Sequence, residues 1–419
     1  MSEETPQARV PWRVWWGLGV LTTIGVFAQM DRVALSILMQ PIKLELHLND
    51  QEMGLLSGLA FTLFYATLGL PLARHADRAS RTRLLAACLG LWTIMTALSG
   101  LARSFPQLFL ARVGVGVGEA GSAPASHSLI GEWFPRHRRA LAVSIFQCGA
   151  AIGISAGTFI VGVMAHQLGW RLCLQLIGVA GIPLSLLALL TVPEPPRSKQ
   201  DALAQEPLGQ AVGALIRRPA LVYLAFAASL SSLTSYGQGQ WMAAFMMRSF
   251  GLNLAQVGAW AGLSALVGTV LGTLAGGVLA VWLTRRDARW ELWIPAIAMA
   301  LATPFTVGMV LAPWLWLSLT CKIFVGVLMS LGAGVALAAV QSFVEPNRRA
   351  TAIALVLFLQ SMLGLGLGPY LVGLVSDLLT PTFGQESLRY GMAAVCLAMV
   401  GSVALYILSA RISARDRLN

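Results

Sequence analysis

The chain is 419 residues long, 57% of them hydrophobic and only 11% charged, with a formal net charge of +11. Soluble domains carry about a quarter charged residues, so this composition excludes a soluble enzyme or binding module and requires an integral membrane protein. The positive balance does not imply a nucleic-acid partner, because the basic residues cluster at the ends of apolar runs.

Runs of the roughly 20 apolar residues needed to cross a bilayer occur at about 13–40, 51–73, 84–102, 106–131, 139–166, 170–192, 219–247, 255–283, 290–312, 314–341, 350–376 and 388–411. Twelve spans are predicted. Residues 1–12 are polar and the first run is a full span without a small-residue cleavage site, so it is expected to remain as span 1 rather than leave as a signal peptide. Span 1 carries Asp31 and Arg32; span 2 opens on Gln51-Glu52-Met53-Gly54 and holds Tyr65. Span 4 holds Arg112, Glu119 and His127, and span 5 holds Gln147 with Gly149, Gly153 and Gly157 at four-residue spacing, a pattern that lets two helices approach closely. Five cysteines are scattered singly without metal-type spacing and read as packing residues.

Of the 29 basic residues, 21 fall at one set of span ends or beyond them and five at the other, with Arg32, Arg112 and Lys322 left within spans. The positive-inside rule then places both termini in the cytoplasm, and a bacterial inner membrane is the expected location. Residues 193–218, the longest polar stretch, divide the chain into bundles at 1–192 and 219–419. The halves repeat: Pro135 to Ala142 reads PRHRRALA and Pro346 to Ala352 reads PNRRATA, while Gly153, Gly157 and Gly162 recur as Gly364, Gly368 and Gly373. Arg112 corresponds to Lys322 and Gly116 to Gly326. A parallel repeat of two six-helix units follows, an architecture that carries substrate near the bilayer midplane and exposes it alternately to each side. Pro369, just after Gly368, is expected to bend span 11.

Gly116, Gly118 and Gly121 spell GxGxxG, but inside an apolar helix rather than after a strand, so no dinucleotide site is expected. No Walker sequence or HExxH occurs, so neither ATP hydrolysis nor any other enzymatic activity, and no cofactor or metal, is expected.

The loop after span 2, Ala73-Arg74-His75-Ala76-Asp77-Arg78-Ala79-Ser80-Arg81-Thr82-Arg83, resembles the GxxxDRxGRR motif of the major facilitator superfamily, with alanine and serine replacing its glycines. The more specific resemblance is to the Spinster branch: Asp31-Arg32, Leu70-Pro71-Leu72-Ala73-Arg74, Ala111-Arg112-Val113-Gly114-Val115-Gly116-Val117-Gly118-Glu119-Ala120-Gly121 with Pro124, and Trp133-Phe134-Pro135. It is strongest over residues 27–170 and looser in the second half. It implies an all-α fold of twelve transmembrane helices, and proton-coupled transport of an anionic amphiphile such as a lysolipid or sphingoid phosphate, by a monomer in contact with membrane lipid. In the loop between spans 8 and 9, Val281 stands where the superfamily often repeats an aspartate, so the cytoplasmic latch is expected to be one-sided.

An ionised side chain in the hydrocarbon core costs roughly 2.5–3.5 kcal/mol and usually lines an ion or substrate path. Asp31, Glu119 and Arg112 are therefore the candidates for proton coupling. Arg112 and Glu119, seven residues apart, share one helix face about 10 Å apart in height and form a vertical pair. Asp31 lies at the depth of Arg112 and is placed to meet it across spans 1 and 4. Burial favours a protonated carboxyl and a nearby arginine favours the ionised one, so opening the cavity can tip the balance. Arg112 and Arg32 are suited to hold an anionic headgroup, since arginine does not release its proton. A fixed ion-pair network that only ties spans 1 and 4 together is the alternative. Lys322 has no acidic companion in its span; it either snorkels outward or adds a second anion contact. Tyr65, His127, Gln147, Tyr236 and Gln360 are further substrate-binding candidates. Asp77, Arg78, Arg81, Glu132, Arg138 and Arg139 are expected to form the cytoplasmic gate. A carrier of small organic anions, a broad-range efflux pump and a passive lipid scramblase remain as alternatives.

Overall fold

The apolar runs leave the backbone no partner but itself in a bilayer, which dictates helices throughout. The computed structural model describes residues 10–78, 80–195, 208–287, 289–345 and 348–416, and these are almost entirely helical. In chain order the helices are α1 (Trp12–Leu46), α2 (Asp50–Ser57), α3 (Leu59–Arg78), α4 (Arg81–Ser99), α5 (Phe105–Glu119), α6 (Ser122–Trp133), α7 (Arg136–Thr191), α8 (Leu208–Ile216), α9 (Pro219–Phe250), α10 (Leu254–Thr284), α11 (Trp290–Leu311), α12 (Leu315–Ser342) and α13 (Arg349–Leu359). A π-helical segment, Gln360–Leu367, leads into α14 (Gly368–Phe383), followed by α15 (Ser387–Ala394) and α16 (Leu397–Asp416). Among the described residues nine helical stretches are long and apolar enough to cross a membrane. Two of them, at 51 and 63 residues, exceed twice a single crossing, which is consistent with twelve spans.

Several predicted spans are interrupted, each for a local reason. Span 4 breaks between α5 and α6, one residue beyond Glu119, because Pro124 has no N–H to give the carbonyl of Ala120. Spans 5 and 6 are one assigned helix, α7, broken at Gly169, whose φ of 78° and ψ of 164° only glycine adopts readily. In span 11 the bend expected at Pro369 takes the form of the π-helical turn just before it. The turn after α1 closes with His47 at φ 53° and the Leu48 N–H bonded back to the Lys43 carbonyl; Asn49 and Glu52 then form a capping box on α2. The second half repeats this chemistry, with Gly251 at φ 67° ending α9 and an Asn253–Gln256 capping box starting α10.

Contacts divide the chain into two compact units. The first comprises Met1–Ala34, Phe64–Gly157 and Arg171–Asp201; the second comprises Leu35–Leu63, Thr158–Trp170 and Ala202–Asn419. The second unit thus includes the 35–63 and 158–170 segments of the N-terminal half. Its core brings together Leu224 of α9, Leu292 and Met299 of α11, Val335 of α12, Val356 of α13 and Tyr406 of α16.

Lipid is as apolar as leucine, so helix association here rests on close packing of small residues. In the first unit the α7 glycines lie against α1: a Cβ on Gly149 or Gly153 would sit 2.5 Å from the carbonyl oxygen of Thr22 or Val26. In the second unit Gly364 and Gly368 meet Ser232, Leu233 and Gly237 of α9, the same relation in the other repeat. Because the obstruction is backbone and cannot rotate away, Gly153→Val is expected to destabilise by about 1–3 kcal/mol or more. Gly19→Ala, with nothing within 4 Å, is expected to be neutral. Thermal unfolding of the two variants in detergent checks the difference.

Candidate functional site

The first unit gathers four buried or half-buried charges. Asp31, Arg112 and Glu119 are 2%, 3% and 3% exposed. Asp31 accepts a hydrogen bond from Thr96 Oγ1 at 2.7 Å and faces Arg112 Nη1 at 3.4 Å, the cross-helix meeting anticipated above. Glu119 Oε1 takes Arg32, at 2.7 Å from Nε and 2.6 Å from Nη2, and the Arg32 guanidinium also lies 4.6 Å from the Tyr65 ring centre. The ion pairs therefore cross between helices, where the seven-residue spacing predicts a vertical pair along α5. The reason is side-chain direction. Helical side chains lean toward their own N-terminus, so Arg112 leans away from Glu119, while the long Arg32 on the antiparallel α1 leans toward it.

The two acids differ in one respect. Both oxygens of Asp31 face donors, whereas Glu119 Oε2 is buried and accepts no hydrogen bond among the described residues. An oxygen in that state gains a partner only by taking a proton or by movement of a donor.

His127, Gln147 and Tyr236 expose their side chains, while Tyr65 and Gln360 are half-buried. The His127 ring meets Phe146 edge-on at 5.2 Å. Lys322 does not run along α12 to the span end; its Nζ turns sideways to α10.

Of the proposed gate residues, Arg81 pairs with Glu132 at 2.6 Å and Arg139 donates to the Gly131 carbonyl; Arg138 is half-buried. The side chains of Asp77 and Arg78 lie outside the described residues, as do residues 196–207 of the linker. Glu194, which sequence reasoning left in the linker, caps α4. It accepts from Ser80 Oγ at 2.7 Å and from the N–H groups of Thr82 and Arg81 at 2.9 and 3.2 Å. Burial disfavours its charge, but these bonds prevail and hold the carboxyl below its ordinary value. A depressed value means that the stabilisation is complete above the ordinary carboxylate range, about 4.3, and is lost as pH falls through the lowered value. Glu194→Ala is expected to cost about 0.5–2 kcal/mol near neutrality, with the gap to the parent closing on acidification, as thermal unfolding across pH will read.

A second charged cluster, made of residues outside the sequence-based site candidates, sits in the second unit at the α1–α2 turn. Asp50 is 1% exposed, and all its acceptor positions are used. Arg248 of α9 forks onto both oxygens at 2.7 and 2.8 Å, Lys43 reaches Oδ1 at 2.5 Å, and Ser376 of α14 donates to Oδ2 at 2.7 Å. Asp377 accepts the N–H groups of Asp50 and Gln51 at 3.0 and 2.7 Å, and Gln51 donates to the Tyr370 hydroxyl at 2.9 Å. Beside it the backbones touch: a side chain on Gly54, Gly58 or Gly373 would run into Pro369, Gly366 or Asp50. The available signal was the company of Asp50 and Asp377 with two of the few cations on the cation-poor side.

Comparison with known proteins gives these clusters a setting. The model of the Major Facilitator Superfamily matches residues 21–369. An MFS-type efflux pump of Mycolicibacterium smegmatis is 34% identical over 411 residues, 96% of this chain and 94% of that one. The sphingosine-1-phosphate transporter SPNS2 of Xenopus tropicalis is 25% identical over 389 residues, 88% of this chain and 75% of that protein. Among solved structures, a bacterial homolog to the human lysosomal transporter Spinster, in an inward-facing and unoccupied conformation, matches with a TM-score of 0.87 at 28% identity, covering 96% of this chain and 98% of that one. The chain belongs to the major facilitator superfamily and, within it, resembles the Spinster branch; it is a multi-pass membrane transporter.

Proposed function

We propose that this member of the superfamily is a proton-coupled secondary carrier of an anionic amphiphile, with Glu119 as the proton site and Arg32 and Arg112 as the anion-holding groups. The observation that carries the reading is the crossed quartet, in which Glu119 alone keeps a buried oxygen without a donor. Protonation at that oxygen discharges the pair with Arg32 and makes its guanidinium, held over the Tyr65 ring, available to a phosphate or carboxylate. Deprotonation restores the pair and expels the anion. Asp31, held by Thr96 and Arg112, keeps α1, α4 and α5 in register while this happens. Exposed His127, Gln147 and Tyr236 within membrane-spanning helices supply polar surface suited to an aqueous cavity rather than to lipid.

In this reading the bundles at 1–192 and 219–419, joined by the 193–218 linker, alternate access to the site, in a plasma membrane with both termini cytoplasmic. The Asp50 cluster then lies at the outer face and the Arg81, Glu132 and Glu194 contacts at the inner face. The likeness to SPNS2 favours a lipid phosphate as substrate. The higher identity to an efflux pump supports a second reading, export of diverse amphiphiles.

Purified protein in proteoliposomes tests this. Uptake of a lysolipid, a sphingoid phosphate, a small organic acid and a cationic dye is followed with and without an imposed pH gradient. Accumulation of the anionic amphiphiles driven by the gradient supports the first reading, and gradient-driven dye movement the second. Flux indifferent to pH overturns proton coupling.

A further inference from the structure

Lys322 is the one membrane-level cation that the proton mechanism leaves unused. It lies on α12 where that helix packs on α10 backbone to backbone, Gly268 against Gly326 and Gly272 against Val327 and Ser330. Its Nζ donates to Ser264 Oγ at 2.7 Å and to the Ala261 carbonyl at 3.2 Å, both on α10. The Ser264 hydroxyl donates in turn to the Trp260 carbonyl at 2.7 Å, which leaves its lone pairs for the ammonium. Two of the three ammonium hydrogens are thereby engaged, both by neutral acceptors.

The contrast with the repeat-related position is one of charge. Arg112 and Arg32 are each answered by a carboxylate, whereas among the described residues no carboxylate pairs with Lys322. The glycine seam holds α10 and α12 at backbone contact, so Ala261 and Ser264 keep the amine at this level instead of letting it extend toward water. The side chain is half-buried, so its third hydrogen is not sealed inside the protein. A cation positioned at this depth by neutral groups, with one donor left over, is completed by an anion from outside the chain.

We propose that Lys322, steadied by Ser264, is a second anion-binding point that takes a phosphate monoester or carboxylate on an amphiphile. This rests on the transport reading for its purpose but not for its chemistry. The same headgroup chemistry has two sources, the transported molecule and a resident bilayer lipid.

The test measures binding in detergent, without any pH gradient, so that it stands or falls apart from proton coupling. Dodecyl phosphate and dodecanol are compared as paired probes on the intact chain, with inorganic phosphate as competitor. The parent is expected to prefer dodecyl phosphate, and Lys322→Met to reduce that preference about tenfold while leaving dodecanol binding unchanged. Lys322→Arg is expected to restore it, and Ser264→Ala, which keeps the charge but loosens its support, to reduce it by a smaller factor. Equal preference in the parent and Lys322→Met overturns the proposal, and so does equal loss of both probes, which marks a merely structural role. Should Lys322→Met fail to fold, the Ser264→Ala and Lys322→Arg pair carries the same test, since no change in Ser264→Ala then overturns it. In liposomes, a raised KM at unchanged kcat for the anionic substrate assigns the site to cargo. Loss of the effect when anionic lipid is omitted from the vesicle assigns it to lipid. Either assignment supports the anion site.

Discussion

Glu119→Gln is expected to abolish gradient-driven accumulation while leaving downhill exchange measurable. One coupled proton per cycle lets a pH difference of one unit hold about a tenfold substrate gradient, since each unit is worth about 1.4 kcal/mol. Glutamine keeps the shape and a neutral charge, so the variant resembles the protonated carrier and cannot cycle its proton. Arg32 loses a carboxylate but keeps its place over the Tyr65 ring, and its side chain is 21% exposed, so stability is expected to change little. Asp31→Asn makes the informative contrast. It takes away the carboxylate that Arg112, whose side chain is 4% exposed, faces at 3.4 Å, and removing one member of a buried ion pair costs about 3–5 kcal/mol. That variant is expected to lose thermal stability first and transport as a consequence. Measuring accumulation ratio, counterflow and melting temperature for both separates a proton site from a structural tie. Gradient-driven accumulation that persists in Glu119→Gln would refute the assignment.

The second large effect concerns the Asp50 cluster. Asp50→Asn leaves Arg248, 7% exposed, and Lys43 facing an amide, and the penalty of about 3–5 kcal/mol applies only while the cluster is packed shut. Where the same groups reach water the penalty disappears. The equilibrium is therefore expected to move away from the described arrangement by about two to four orders of magnitude. A cysteine at Ser57, which is buried at 4%, reports the change in a background with the native cysteines replaced. Its labelling by a membrane-impermeant maleimide is expected to accelerate in Asp50→Asn. Arg248→Gln added to that variant removes one stranded cation and is expected to return part of the protection. Unchanged labelling in the single variant would show that the cluster does not hold the turn closed.

Much of the fold was legible without coordinates because its causes are local. A run of apolar residues must be helical in lipid, basic residues cluster by the membrane ends, and a glycine every four residues implies a close neighbour. The α7 glycines and their counterparts Gly364 and Gly368 illustrate this, each lying against the backbone of a close neighbour. Interruptions were less legible, since Pro124 acts on a carbonyl four residues earlier and Gly169 matters through a backbone angle rather than a side chain. Glu194 was hidden for a different reason. In sequence it opens a polar linker, and only its return to the start of α4 turns it into a cap.

What the sequence determined alone is that the chain spans a membrane, that it is built twice over, and that Asp31 and Glu119 are ionisable groups set at membrane depth beside arginines. Which arginine answers which acid was decided by tertiary structure, as were the gathering of Lys43, Arg248 and Ser376 around Asp50 and the sideways hold of Ser264 on Lys322. The physical reason is direction. Spacing along one helix gives the height and face of a side chain, but its reach depends on which way that helix runs and which neighbour lies within a few ångströms, and both are properties of the packed bundle.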